Sequence, residues 1–406
     1  MRRRLRIAFA MINCNRRDGG ARAVNEVAER LAQEHDVHLF ARKAEELDLS
    51  RIHWHKMPGI PWPEVADFVT YHLLANFRIR PGSFDIIHSI GANAAAANVI
   101  TIQNIQPAKR IFLEQQAASE KISFARKMTR KLYLDLTTRA EASMYSQRTD
   151  RPAPMFLPVS GGVQRDLAAH YDIGNALVRI IPNAADVNRF RPATGCQRVE
   201  WRRLNGIGEN DTVAVFVGGE WRRKGLDLAI QAVGHLPQKD VKLLVLGKDA
   251  EQPRFETLAM EAGIRDRVLF LGFRSDVADA MAASDIFLFP SWYEAFSLAT
   301  IEAAACGLPI VATKINGAED FVVPGETGHF IEHDPKQIAA VLERLVASAA
   351  DRRRMGENSR KLVEQRYTWD RVAQMTEAAY FEYLEGAQKR YTPLGAPRGR
   401  LSSPES

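Results

Sequence analysis

PSWYEAFSLATIEAAACGLPIVAT (residues 290–313) holds two carboxylates, Glu294 and Glu302, eight positions apart. The apolar run IFLF ahead of it predicts a buried strand, and IVA at 310–312 predicts another. Between them the pattern from Leu298 reads as a short apolar helix, stopped by Gly307-Leu308-Pro309. Glu294 therefore falls in the loop before the helix, and Glu302 about a turn and a half into it. The unpaired N–H groups of the helix start lie between the two acids. A diphosphate suits such a helix start, and a ribose diol can reach a carboxylate further along.

Outward from this segment the same alternation recurs. VAVFVGG, KLLVLG and VLFLGF read as buried strands, separated by helices over 226–233, near 255–262 and near 277–282. Upstream, LRIAFAMI, DVHLFA, FDIIHSI and ANVITIQ repeat the pattern, with a helix over GGARAVNEVAERLAQE. Short apolar strands spaced by helices predict parallel sheets with crossover helices. The expected fold class is α/β, two Rossmann-like doubly wound parallel-sheet domains facing a central cleft. The junction is expected in IIPNAADVNRFRPATG, where Pro, Asn and Gly break the periodicity. The expected boundaries are 1–180 and 181–366, then a helix over 367–387 returning across both domains, and a Pro/Gly/Ser/Arg-rich, disordered tail over 388–406.

A length of 406 residues exceeds one ordinary core, which already favours two domains. Three scattered cysteines, Cys14, Cys196 and Cys306, argue against a disulfide framework and suit a reducing, cytoplasmic setting. MRRRLRIAFAMI imitates a signal peptide, but its apolar run is short, Arg6 breaks it and no small-residue cleavage site follows; it reads as a first strand. No run of 18 apolar residues marks a membrane span. The net charge of +6 is uneven: residues 1–180 carry a balance of +8 and the remainder −2. That excess is either a solubility bias or the mark of an anionic partner of the first half.

Beyond the paired acids, GGEWRRKG places Arg222, Arg223 and Lys224 in a strand-to-helix turn. Cations there suit a phosphate, and Arg adds a directional fork, although three basic residues in a row are commonly a solvated turn. The spacing is not that of a Walker A loop. Two carboxylates at helical spacing are ordinarily surface groups, but Glu302 sits in a helix that is otherwise nearly all apolar and so needs a partner. Asp18-Gly19-Gly20-Ala21-Arg22, between the first strand and helix, lacks the GxGxxG pattern and reads equally as an anion-binding turn or a plain tight turn. In FARKMTRKLYLDLTTR (124–139), Arg126, Lys127, Arg130 and Lys131 share a flank, and Phe124, Met128, Leu132 and Leu136 form an apolar stripe. The stripe either packs inward or docks, with the basic flank, on an anionic membrane surface or a phosphorylated acceptor. His88 ends a strand facing the cleft and is a candidate acceptor contact, whereas His53 and His55 read as structural or exposed. No metal-ligand spacing is present along the chain, so no metal is expected. No nucleic-acid recognition pattern accompanies the basic charge.

These residues resemble the retaining GT-B glycosyltransferases of family 4, from residue 5 to about 385. The E-x7-E motif is similar to Glu294 and Glu302, the basic diphosphate pair to Arg223 and Lys224, the glycine-rich first loop to Gly19-Gly20 with Arg22, and the interdomain PNGVD segment to IIPNAADVNRF. The spacing in GGEWRRKG is most similar to the lipopolysaccharide-core α-glucosyltransferase branch. The resemblance implies hexose transfer from a nucleotide-diphosphate sugar, UDP before GDP, to a glycan, glycolipid or small-molecule acceptor, with no divalent metal. It implies catalytic roles for Glu294, Arg223 and Lys224, and donor contacts from Glu302, Gly19, Gly20, Gly219, Phe296, Ser297, Leu298 and Phe273. Acceptor-side contacts are implied for His88, Gln103, Asn104 and Arg22. It also implies a cytoplasmic enzyme, peripheral on the inner face of the membrane through 124–139.

The chain departs from the pattern in places. Gly219-Glu220 stands where many relatives carry an Arg after the strand glycine, ITIQN offers Gln103 and Asn104 in place of a His-Asp pair, and the PNGVD glycine is Ala184. Three other classes fit the same motifs: a nucleotide-sugar epimerase, a sugar phosphorylase or synthase, and a catalytically silent nucleotide-sugar-binding protein.

Overall fold

The structure, a computed structural model, describes residues 3–15, 19–60, 62–117, 124–147 and 152–391. Asp18 and most of the tail, 392–406, lie outside the described residues. In the first half, six strands form one parallel sheet: β1 (Arg6–Ala10), β2 (Asp36–Ala41), β3 (Ile52–Lys56), β4 (Ile86–Ile90), β5 (Val99–Ile102) and β6 (Met155–Pro158), in the order β3-β2-β1-β4-β5-β6. The second half repeats it with β7 (Thr212–Val217), β8 (Val241–Leu246), β9 (Val268–Gly272), β10 (Ile286–Phe289), β11 (Ile310–Thr313) and β12 (Gly328–Ile331), in the order β9-β8-β7-β10-β11-β12. In both sheets the order reverses beside the first strand, between β1 and β4 and between β7 and β10. Crevices for ligands open at such reversals, at the strand C-terminal ends.

The strands are buried on both faces, as a parallel sheet covered by helices requires; Ile7, Phe9, Val215, Leu244 and Phe287 are at most 1% exposed. The expected strands are present, trimmed by a residue or two at their ends. Within these two sheets, three short strands carry no strand reading in the sequence: β3, which alternates apolar residues with histidines, β6 and β12.

The helices that shape the cleft are α1 (Gly19–Leu31), α2 (Glu64–Arg78), α3 (Gln106–Ala117), α4 (Phe124–Tyr145), α5 (Leu226–His235) and α6 (Leu298–Ala305). A final helix, α7 (Trp369–Tyr391), packs against α1. Its Trp369, Val372 and Tyr380 join Leu5, Ile7 and Phe9 in the core of the first sheet. A second core runs through both halves, uniting Val159 and Val163 with Phe296, Ile301 and Phe321. Among the described residues no helix is long and apolar enough to cross a membrane.

Candidate active site

The turn after β7 is built around Trp221, which is fully buried. Its indole N–H donates to the Gly218 carbonyl at 2.8 Å, and its backbone N–H to Asp249 Oδ2 at 2.8 Å. With Trp221 fixed inward, Arg223 and Lys224 are turned to the cleft, while Arg222 reaches toward Glu251 at 3.8 Å. Gly225 then opens α5 in the left-handed region (φ 76°), and a Cβ there would fall 2.1 Å from the Pro290 carbonyl oxygen. This close approach brings the cationic turn against the loop that follows β10.

That loop carries Glu294. Arg223 Nη1 donates to Glu294 Oε1 at 2.7 Å and to the Tyr293 carbonyl at 2.6 Å, and Nη2 donates to Glu220 at 2.7 Å. Lys224 Nζ stands 3.7 Å from the same Glu294 oxygen and over the Phe289 ring. Burial pulls the Lys224 ammonium below its usual range, and Glu294 opposes the shift. A cation in that position gains from any further negative charge brought beside it. Gly218 leaves room for it, since a Cβ there would lie 2.5 Å from Lys224 Nζ.

Ser297 caps α6, its Oγ accepting from the Thr300 N–H at 3.3 Å. Glu302, on the buried face of this helix, meets Arg22 of α1 across the cleft, Arg22 Nη1 donating to Oε1 at 2.5 Å. Burial pushes the Glu302 carboxyl up, and Arg22 pulls it back. Gly19 faces α6 closely; a Cβ there would lie 3.1 Å from Leu298 Cδ1. The N-termini of α1 and α6 thus open onto one cleft of about 620 Å³. Gly19, Gly20, Arg22, Gln103 and Asn104 line it from the first half. Arg223, Lys224, Glu294, Phe296, Ser297, Leu298 and Glu302 line it from the second.

Three expected residues stand elsewhere. His88 is 3% exposed, and both ring nitrogens are engaged, Nδ1 with Tyr380 Oη at 2.6 Å and Nε2 with Thr101 Oγ1 at 2.7 Å. Burial drives its pKa down to about 3. It is a neutral core residue tying α7 to the first sheet, which corrects the expected acceptor contact. Phe273 is 73% exposed and lies outside the cleft lining, as does Gly219, which packs near the Lys248 carbonyl.

Sequence reading missed Lys109 and Phe112 of α3, and Tyr293. Phe112 stacks on Tyr293 across the cleft, centroids 5.2 Å apart. Lys109 lines the cleft beside Arg223 and Glu220, and burial lowers its pKa. Only the pairing of α3 with the β10 loop brings these together, and no local pattern announces it. Asp36, His38 and His53 also gather their ligand atoms within 4.8 Å of one another. His38 and His53 are register partners on β2 and β3, so the sheet makes a trio that chain spacing does not. It lies at the strand N-terminal ends, away from the cleft, with Arg6 Nε 3.4 Å from His38 Nε2.

On α4, Met128 and Leu132 are 53% and 49% exposed, so this part of the apolar stripe does not pack inward. Lys127 and Lys131 are exposed beside them. The side chains of Phe124 and Arg126 lie outside the described residues.

Two family models match the chain, Glycosyltransferase Family 4 over residues 17–189 and Glycosyl transferases group 1 over 197–362. Two doubly wound parallel-sheet domains facing one cleft are the GT-B arrangement. The chain belongs to the group 1, family 4 glycosyltransferases, which have this fold. It is 32% identical over 235 residues to the D-inositol 3-phosphate glycosyltransferase of Xylanimonas cellulosilytica, 55% of either chain. It is 30% identical over 201 residues to the lipopolysaccharide glucosyltransferase WaaG of Escherichia coli, 48% of this chain and 54% of that one. The chain thus spans about half the length of the curated relatives it matches. The solved WaaG structure superposes with a TM-score of 0.74 at 22% identity, covering 91% of this chain and 99% of that one. Anabaena Alr3699/HepE in complex with UDP and glucose gives 0.70 at 18% identity, over 93% and 100%.

Proposed function

We propose that the protein is a retaining hexosyltransferase that takes its sugar from a nucleotide diphosphate, UDP before GDP. The observation that carries this reading is the meeting of Arg223, Lys224, Glu294 and Glu302 in one cleft with two helix N-termini. As the sugar–phosphate bond breaks, negative charge grows on the leaving diphosphate. Arg223 and Lys224 are fixed before that charge appears, so they stabilise the transition state more than the ground state. In this reading they do the work that a divalent cation does in other transferases. The N–H groups near Gly20 and Ser297 cap the phosphates. Glu294 holds the donor sugar hydroxyls and faces the developing oxocarbenium. Glu302 accepts the ribose diol, with Arg22 beside it. Front-face attack, in which the leaving phosphate takes the acceptor proton, accounts for retention.

Two relatives' names specify a UDP complex and a glucosyltransferase, which favours UDP-glucose as the first donor to try. The acceptor is a glycan, glycolipid or small molecule held by the first domain. The exposed Met128 and Leu132 beside Lys127 and Lys131 support peripheral docking on an anionic membrane. A thermal-shift screen of nucleotide sugars tests the donor assignment. A ligand at 100 times its Kd stabilises by about 2.7 kcal/mol, and no stabilisation by any UDP- or GDP-sugar sinks it. Turnover surviving excess EDTA is the expected metal result.

A further inference from the structure

A second cavity, of about 530 Å³, adjoins the donor cleft within the first domain. Met11, Ile90, Gln103, Asn104 and Lys109 line both, so the two spaces are continuous. Its charged lining is mainly acidic: Glu64 and Asp67 from α2 and Glu141 from α4. All three carboxylates act electrostatically on Tyr133, a further wall residue, and after burial they are what raises its pKa. Glu141 is 3% exposed, and both of its hydrogen bonds, from the Gln106 N–H and Tyr171 Oη, fall on Oε2 at 2.9 Å. Asp67 is 9% exposed; Arg42 reaches its Oδ2 at 3.2 Å, and Oδ1 has no partner among the described residues. Gln106 Oε1, in the same wall, is likewise without a partner. The wall is therefore rich in acceptor atoms that call for donors.

Cations oppose these acids at two points. Arg42 is committed to Asp67 and to Asn13 Oδ1. Lys109 stands at the seam, within electrostatic reach of Glu220 and Arg223 on the donor side, of Glu64 and Glu141 in the second cavity, and of Arg130. A buried ammonium is drawn to the strongest nearby anion. With a donor bound, that anion is the diphosphate, which leaves the acids to face the second cavity. Apart from Lys109, the positive excess of residues 1–180 stays off this space: Lys127 and Lys131 are exposed on α4 and do not line it.

We propose that this cavity is the acceptor site and that it selects a sugar presenting hydroxyl or ammonium donors with no anionic group in the pocket. The inference rests on the transferase reading for its donor side, but its own claim concerns charge. A phosphate or carboxylate placed beside Glu64 and Asp67 meets like charge, and the unpaired Asp67 and Gln106 oxygens offer it no donor, whereas a hydroxyl or an ammonium satisfies those oxygens.

Ligand-observed NMR on the full chain saturated with UDP tests the claim without requiring turnover. The probes are methyl α-glucoside, glucosamine and glucose 6-phosphate. Saturation transfer is expected to the first two, with the phosphate ester binding at least about tenfold more weakly. Glu64→Lys, on the exposed rim where folding is not at stake, is expected to shrink that ratio by about tenfold. Preferred binding of glucose 6-phosphate, no signal from either uncharged or amine-bearing probe, or an unchanged ratio in Glu64→Lys overturns the proposal. Loss of the donor reading gives a different pattern: no nucleotide-sugar stabilisation while the charge preference among the probes persists.

Discussion

Lys224 shows how a single residue is made useful by its neighbours. It is buried, paired at long range with Glu294, and held by a turn that tolerates only glycine at its far end. Lys224→Ala is expected to lower turnover at least about 100-fold, equivalent to about 2.7 kcal/mol of barrier. A loss under about threefold in steady-state kinetics contradicts the leaving-group role. Gly225→Ala combines a left-handed φ with a collision against the Pro290 carbonyl. It is expected to destabilise the fold by several kcal/mol, read as a large drop in the urea midpoint. Arg22→Ala leaves Glu302 buried without its cation and is expected to cost about 3–5 kcal/mol, partly restored when a nucleotide sugar is added. At this scale the sequence was readable where a motif is local. Glu294, Glu302, Arg223 and Lys224 lie within two short segments whose spacing speaks for itself. Lys109, Phe112 and Tyr293 acquire meaning only through contacts that no window of sequence contains. His88 looked exposed to the cleft because it sits near a strand end, and only the return of α7 shows that both of its nitrogens are taken.

Among the elements, α3 and α4 are joined by a titrating contact. Glu141 of α4 accepts from the first free N–H of α3, and burial pushes its carboxyl up to about 7. Tyr171 and the Gln106 N–H favour the charged form, as does Lys109, but burial outweighs them. The folded protein thus keeps a proton that the unfolded chain releases near its ordinary carboxylate pKa of about 4.5. This contribution is fully present below about pH 4.5, declines as pH rises toward 7, and then levels off. Its size is of order 3 kcal/mol. Glu141→Gln is expected to remove that slope, seen as a flatter urea-midpoint profile between about pH 4.5 and 7 than wild type gives. Parallel profiles contradict it. A variant with Gln at Arg126, Lys127, Arg130 and Lys131 of α4 is expected to float less with anionic liposomes; equal flotation ends the membrane reading. Strands whose apolar run is continuous, such as β7, β8 and β10, were legible from sequence. The short β6, which ends in Pro158, β12, which opens on Gly328-His329, and the alternating edge strand β3 were not, because none of them presents a continuous apolar run of four residues.

For the molecule as a whole, the decisive contacts cross the cleft. Arg22 meets Glu302 on one side, Phe112 stacks on Tyr293 on the other, and Ser160 Oγ donates to the Ala295 carbonyl at 2.9 Å beneath them. The two sheets were foreseeable from the rhythm of strands and helices, whereas their mutual orientation depends on these few pairings. Phe112→Ala removes a stacked pair worth about 0.5–1.5 kcal/mol. It is expected to lower kcat/KM about three- to tenfold with only a small change in Tm, and an unaltered kcat/KM shows that the stack does not help close the domains.

The closing helix α7 carries one more implication. Tyr380, Trp369 and Val372 fill the first sheet's core, and Glu377 reaches His35 at 3.1 Å, although these residues come last along the described chain. The first domain is therefore discontinuous in sequence. A chimera that grafts only the leading 180 residues onto a relative's second domain would inherit a foreign wall against its own strands. Recombination designs that transplant this domain have to move both pieces together.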